Sequence, residues 1–352
     1  MHPIQAELNR LVEAGVPGAF AYLEDRDGAS RFFTAGWADV AMRQRMTPGS
    51  HYRVGSTTKT FTAVVLLQLV AEGKLALHDT LEERLPDLAI PNAHSLTVEH
   101  LLRMRSGLFD FEDDASLAGN LDAHLTPWSL ADVIWLGIRQ PAAFPPGARF
   151  SYCNTNFCLL ELIIERLTGH SLGDELAQRI LGPLGMAGAS YPAADDLTLP
   201  EPYMRGYERT QAGWRECSQV FFGRGDGALL STAPDLARFF RALLLDKALL
   251  PDGLLSQVMA VVRDDPPAEE AYGLGLIADP LPCGTVWGHG GGGYGYVHLP
   301  YLRLETGRFA VFMRNGSYGF HATADPALRE RPRLSPEIRA MAYTMDLEVP
   351  SN

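Results

Sequence analysis

Hydrophobic positions along the 352-residue chain change rhythm several times. Met1 to Gly18 reads as a short amphipathic helix with Glu7, Arg10 and Glu13 on its polar side. Two alternating segments follow, Ala19 to Glu24 and Arg31 to Trp37, and the turn-forming Asp25-Arg26-Asp27-Gly28 between them predicts a hairpin. A helix is expected from about Thr57 to Gly73, opened by Gly55-Ser56 and closed by Gly73. Within it Phe61 to Ala71 is apolar enough to be buried, yet too short, and too broken by Thr62 and Gln68, to cross a bilayer.

From about residue 80 to 210 the rhythm becomes one of short helices separated by loops rich in Pro, Gly and Asp, including Leu125 to Ile138 and Asn156 to Leu167. After Gly225 come one more helix, Ala233 to Leu245, and short strands at Thr285 to Trp287, Tyr294 to Leu299 and Phe309 to Met313. The expected architecture is α+β: an antiparallel sheet built from both ends of the chain (1–80 and 210–352), flanked by terminal helices, with an all-helical domain (81–209) inserted between them. An active site is expected at the seam.

Charge narrows the function. With 30 Lys+Arg against 42 Asp+Glu the formal net charge is −12, which argues against a nucleic-acid partner. The 46% hydrophobic and 20% charged content is that of a packed protein. No basic start leading into an apolar run marks a secretory signal, and no membrane segment is seen. The four cysteines, at 153, 158, 217 and 283, lack zinc-ligand spacing and suit small buried thiols, so a cytoplasmic setting is expected.

Three stretches carry chemistry. Val54-Gly55-Ser56-Thr57-Thr58-Lys59 sets a serine at a helix start with a lysine one turn later on the same face. A serine hydroxyl needs a neighbour to take its proton, and a desolvated lysine can do so once its pKa falls towards neutrality. Phe150-Ser151-Tyr152-Cys153-Asn154 offers a phenol to relay a proton and an amide to orient a carbonyl or the lysine. In Trp287-Gly288-His289-Gly290-Gly291-Gly292-Gly293-Tyr294, glycines let a substrate backbone approach a strand and leave N–H groups for an oxyanion. The Gly288 to Gly293 spacing formally matches a nucleotide motif, but no suitable helix follows. Singly, each stretch is also what a capped helix, a loop or a glycine-rich hairpin would show.

Together, in this order, the three stretches resemble the penicillin-recognising serine hydrolases: class C β-lactamases, D-alanyl-D-alanine carboxypeptidases, family VIII esterases and D-aminopeptidases. The resemblance runs from about residue 15 to 315, is nearest the DD-carboxypeptidases, and includes Arg105-Ser106-Gly107-Leu108 and Tyr272-Gly273-Leu274-Gly275-Leu276. It implies a β-lactamase/transpeptidase-like fold with Ser56 as acylated nucleophile, Lys59 as proton acceptor and Tyr152 as relay to the leaving group. By the same resemblance Asn154 holds Lys59 and the substrate amide, and His289 stands in for the third motif's basic residue. Gly290, Gly291 and Gly292 line the substrate, and the N–H groups of Ser56 and Gly292 form the oxyanion hole. Which of Lys59 and Tyr152 is the base is left open, and no metal or cofactor is implied.

Departures from the pattern redirect the substrate. In the family pattern, carboxypeptidases and many β-lactamases carry a threonine, and the nearest carboxypeptidase-like chains also an arginine, that bind a terminal carboxylate; this chain has Gly290 and Ile277 at those places. The late disulfide of some carboxypeptidase-like chains is ruled out because no cysteine follows Cys283. His-Gly-Gly is more like D-aminopeptidases and D-amino-acid amidases, which bind a free α-ammonium. Asp110 and Glu112, in Asp110-Phe111-Glu112-Asp113-Asp114, are the expected carboxylates at the site's rim. The favoured reading is hydrolysis of D-amino-acid amides or short peptides through an acyl-enzyme. A short-chain esterase or acyltransferase comes next, DD-carboxypeptidase or β-lactamase activity is less favoured, and a non-catalytic sensor least.

Overall fold

Burial assigns the first hairpin its place. In the computed structural model, which describes residues 1–262, 271–318 and 334–344, strand β1 (Gly18–Glu24) is buried almost throughout, while β2 (Ser30–Gly36) is mostly half-buried. A strand with both faces covered belongs inside a sheet, and β1 pairs with β2 on one side and with a strand from the far end of the chain on the other. Parts of the expected second segment of the sheet domain, 263–270, 319–333 and 345–352, lie outside the described residues.

The remaining strands of this sheet are β3 (Ala271–Tyr272), β4 (Ile277–Leu281), β5 (Gly284–Gly288), β6 (Gly291–Gly293), β7 (Tyr296–Arg303) and β8 (Arg308–Arg314). Their order is β2-β1-β8-β7-β5-β4-β3, with β6 attached to β7, and the pairings are antiparallel. Gly295, at φ +82°, makes the turn between β6 and β7, so the latter starts at Tyr296 rather than at the expected Tyr294.

Helices cover both faces. α1 (Pro3–Glu13) lies on the face that carries Phe33, whose ring is 4.5 Å from that of His2 just ahead of the helix. α4 (Ala233–Leu244) lies on the other, where Phe240 stacks on Phe309. Between Arg53 and Tyr207 the chain carries helices, including α2 (Thr58–Ala71) and α3 (Thr155–Thr168). α2 is buried at nearly every position, including Phe61 to Leu67, so it is a central helix rather than an amphipathic one. The expected helix over Leu125 to Ile138 begins only at Leu130 and ends at Ile138, with a separate turn of helix, Leu121–His124, ahead of it. Pro127 disfavours helix at the residue before it, and Ser129 restarts the helix in a capping box with Asp132. Near the C-terminus α5 (Pro336–Met341) leads to Tyr343, whose hydroxyl donates to the Tyr301 carbonyl at 3.2 Å.

The junction of α2 with α4 is a stacked pair, Phe61 and Phe239, both fully buried with ring centroids 3.6 Å apart. Phe61→Ala should lower unfolding free energy by about 3–5 kcal/mol, read as a fall in urea midpoint with unchanged slope.

Candidate active site

The turn ahead of α2 is held in a conformation that only glycine adopts easily. Gly55 has φ +50°, and a Cβ there would lie 2.9 Å from the Phe222 ring and 3.0 Å from Gly292 N. This close approach brings the 3₁₀ turn Gly55–Thr57 against β6. One turn after Ser56, Lys59 Nζ donates to Ser56 Oγ at 3.0 Å, to Asn154 Oδ1 at 2.7 Å and to the Asp226 carbonyl at 2.9 Å. The lysine is fully buried, and its Nζ lies 4.9 Å from the centroid of the Tyr152 ring.

The expected fall in the Lys59 pKa is not what its surroundings produce. Burial pushes it down, but Tyr152, Asp226 and Asp110 outweigh burial and raise it. Burial raises the Tyr152 phenol, against the pull of Lys59, although part of its ring is open to the cleft. The resting site therefore keeps its protons on both groups, and the two titrate as a coupled pair.

Asn154 sits at the N-cap of α3 without capping it. Its side chain is used elsewhere: Oδ1 accepts from Lys59, while Nδ2 and its backbone N–H both donate to Asp110 Oδ2 at 3.0 Å. This corrects the expectation for Asp110. It does not stand at the rim to meet a substrate but lies behind Asn154, and its other oxygen accepts from Glu112 N at 3.2 Å. Burial pushes the Asp110 carboxyl up to about 6. Cys153, between Tyr152 and Asn154, is buried with its thiol directed at the Leu108 and Phe109 carbonyls, 3.5 and 3.6 Å away, where it fills space.

The third motif lies on β5, β6 and the link between them. Gly288 has no room for a Cβ, which would come 2.1 Å from the Pro300 carbonyl. His289 is buried, its Nδ1–H donates to the Gly290 carbonyl at 2.7 Å, and its Nε2 accepts from the Tyr272 hydroxyl at 3.0 Å. Burial and the nearby Lys59 charge lower its pKa to about 3. The expectation of a basic residue here is therefore corrected: the imidazole is neutral and both its nitrogens are engaged.

These parts enclose a cavity of about 390 Å³. Ser56, Tyr152 and Asn154 line it, together with Glu112 and the 289–292 segment; Lys59 and Asp110 lie behind these. Ile277 also lines it, and Phe222 and Tyr294 make its wall apolar. A Cβ on Gly290 would come 3.2 Å from Leu299, so a threonine there would need that side chain to shift. The Glu112 side chain is 13% exposed, 3.6 Å from His124, and burial beside Asp226 and Asp110 holds its carboxyl well above the usual range.

Two groups have no motif of their own. The Asp226 carbonyl that receives Lys59 belongs to a glycine-flanked loop, and Gly225 N donates to the buried Glu161 of α3 at 2.6 Å. Tyr272, which fixes His289, was legible only as part of Tyr-Gly-Leu-Gly-Leu.

Comparison with known proteins identifies the family. The family model described as Beta-lactamase matches residues 4–332. A D-aminopeptidase of Cereibacter sphaeroides is 30% identical over 301 residues, 83% of this chain and 55% of that protein. The chain thus spans about half the length of the D-aminopeptidases it matches. Penicillin-binding protein 4 of Amycolatopsis lactamdurans is 30% identical, with 86% of this chain and 82% of that one covered. Among solved structures, a D-stereospecific amidohydrolase from Streptomyces superposes with TM-score 0.81 at 33% identity, covering 89% of this chain and 94% of that one. The D-amino acid amidase of Ochrobactrum anthropi SV3, complexed with L-phenylalanine amide, gives 0.80 at 27% identity and covers 97% of both chains. No helix among the described residues is long and apolar enough to cross a membrane.

Asp110 offers only acceptors to three donors, so Asp110→Asn turns a donor towards one of them. Turnover should fall roughly tenfold or more through loss of about one charge-assisted hydrogen bond, with the preference between free-amine and acetylated substrates unchanged in steady-state assays.

Proposed function

Because the chain belongs to the β-lactamase family, we propose that it is a serine hydrolase that acylates Ser56 and acts on D-amino-acid amides or short peptides with a free α-amine. The observation that carries this reading is the contact of Ser56 with a buried Lys59 at a cavity whose wall holds a protonation-ready carboxyl, Glu112. The names of the Cereibacter and Ochrobactrum relatives support the choice of substrate.

In molecules whose Lys59–Tyr152 pair has lost one proton to solvent, Ser56 Oγ attacks the acyl carbon and its own proton passes to that pair. The acyl oxygen takes up the negative charge beside the N–H groups of Ser56 and Gly292. The C–N bond then breaks and the leaving nitrogen takes the proton from the pair. Water attacks the acyl-enzyme, its proton goes to the same pair, and the C–O bond to Ser56 breaks as the serine recovers a proton. Asn154 keeps Lys59 in place and offers its amide to the substrate. His289, neutral and fixed by Tyr272, shapes the strand on which the substrate lies.

An entering α-ammonium favours the ionised form of Glu112 and draws its pKa down, so binding releases a proton. Gly290 and Ile277 provide no grip for a terminal carboxylate, which disfavours DD-carboxypeptidase and β-lactamase chemistry. The same apolar wall, with Phe222 and Tyr294, supports short-chain esters as a second substrate class.

Turnover of D-alanine p-nitroanilide, with its amine free or acetylated, tests the reading against Ser56→Ala as blank. Only the free-amine substrate should be cleaved by the wild type, and equal cleavage by Ser56→Ala would overturn the mechanism. Glu112→Gln should raise KM for the free-amine substrate about tenfold to a hundredfold, the worth of one hydrogen bond to a charged group, while p-nitrophenyl acetate hydrolysis is unaffected. Since the surroundings raise both Lys59 and Tyr152, the base form grows with pH. Thus kcat/KM for p-nitrophenyl acetate should climb from neutral to alkaline pH, and a profile flat above pH 6 would count against the pair as base.

A further inference from the structure

A buried histidine outside the three motifs ties the nucleophile turn to the glycine strand. His298 lies on β7, opposite Gly291 of β6 and Met313 of β8. Its ring is 1% exposed and stands edge-on to Tyr52, with centroids 5.3 Å apart. Nε2 is 2.7 Å from the Val54 carbonyl and 2.9 Å from Thr57 Oγ1. Both acceptors belong to the turn that presents Ser56.

The proton positions follow from the partners. Thr57 Oγ1 donates its single proton to the His289 carbonyl at 2.6 Å, since a carbonyl only accepts. Towards His298 the hydroxyl must therefore accept, so Nε2 carries the hydrogen and shares it between Thr57 Oγ1 and Val54 O. Nδ1 has no partner. Burial favours the neutral ring, with a pKa lowered to about 4. The strand beneath is shaped to admit this contact: a Cβ on Gly291 would lie 1.9 Å from Val54 O and 2.5 Å from His298 Nε2.

Val54 leads to Ser56, and His289 leads to Gly292, so the two N–H groups assigned to the oxyanion come from segments that meet only through tertiary structure. His298 bonds the first segment directly and reaches the second through Thr57. We propose that His298 is a positioning residue for acylation, holding the Val54–Thr57 turn against β6 so that the N–H groups of Ser56 and Gly292 converge on the acyl oxygen. The inference rests on the reading of Ser56 as the acylated nucleophile.

The working atom is Nε2, which gives the test its form. A glutamine places an amide N–H near the Nε2 position, an asparagine near that of Nδ1, and a leucine fills the volume without a donor. His298→Gln should keep kcat/KM for p-nitrophenyl acetate within about threefold of wild type. His298→Asn and His298→Leu should lose roughly tenfold to a hundredfold, below the loss from deleting an oxyanion donor outright. Phenylboronic acid, which forms a tetrahedral adduct on an activated serine, should weaken by the same factor in these two variants. A purely structural role would lower melting temperature without this match between adduct affinity and rate. Asparagine and leucine variants that are folded and equal to wild type in rate and boronate affinity would overturn the proposal alone. A wild type that neither turns over the ester nor binds the boronate would overturn the Ser56 reading, and the proposal with it.

Discussion

A fully buried ammonium is the constraint around which the rest of the molecule is arranged. Lys59 has three N–H donors and no water to satisfy them, and an unpaired charge in such a place costs several kcal/mol. The fold answers with three acceptors, one from the adjoining 3₁₀ turn and two from distant parts of the chain: Ser56, Asn154 at the start of α3 and the Asp226 carbonyl in the loop before α4. The two distant acceptors are held in turn, Asn154 by Asp110 and the Asp226 loop by Glu161. Groups remote from the cavity thus set the geometry within it. The same surroundings keep the lysine cationic at rest, so it can act as a base only after the pair it forms with the phenol has lost a proton.

The second constraint is close approach of backbone to backbone. Gly55, Gly288 and Gly291 are each within a Cβ's reach of another main-chain atom, and together they let the nucleophile turn, β6 and β7 meet without side chains between them. A glycine-rich stretch usually signals looseness. Here the glycines serve the opposite end, because removing side chains allows hydrogen bonds from Thr57 and His298 to bind the layers to one another.

Much of this was readable from the chain. The first hairpin, α2, α3, α4 and the late strands have local signals, and the three motifs are contiguous runs whose residues the fold brings to one cavity. What could not be read depended on partners far away in sequence. Asp110 looks like a rim carboxylate until Asn154 is seen occupying it, and a serine-proximal lysine looks neutralised by burial until the phenol and carboxylates around it are counted. His289 has the composition of a cation, but its protonation depends on Tyr272 and the depth of the strand. The late start of the helix expected from Leu125, at Leu130, was a local signal, Thr126-Pro127, outweighed by the apolar pattern around it.

Placing β1 between β2 and β8 bears on how the protein is made. The inner edge of the first hairpin can complete its ladder only after residue 314 has emerged, since Ala19 pairs with Arg314 and Glu24 with Phe309. Throughout synthesis of the intervening helices, β1, rich in aromatic and aliphatic residues, offers unpaired N–H and C=O groups to any other strand nearby. Folding must therefore close a loop of nearly the whole chain before the central sheet exists, a topology whose long-range pairing is entropically costly and leaves the nascent edge open until late.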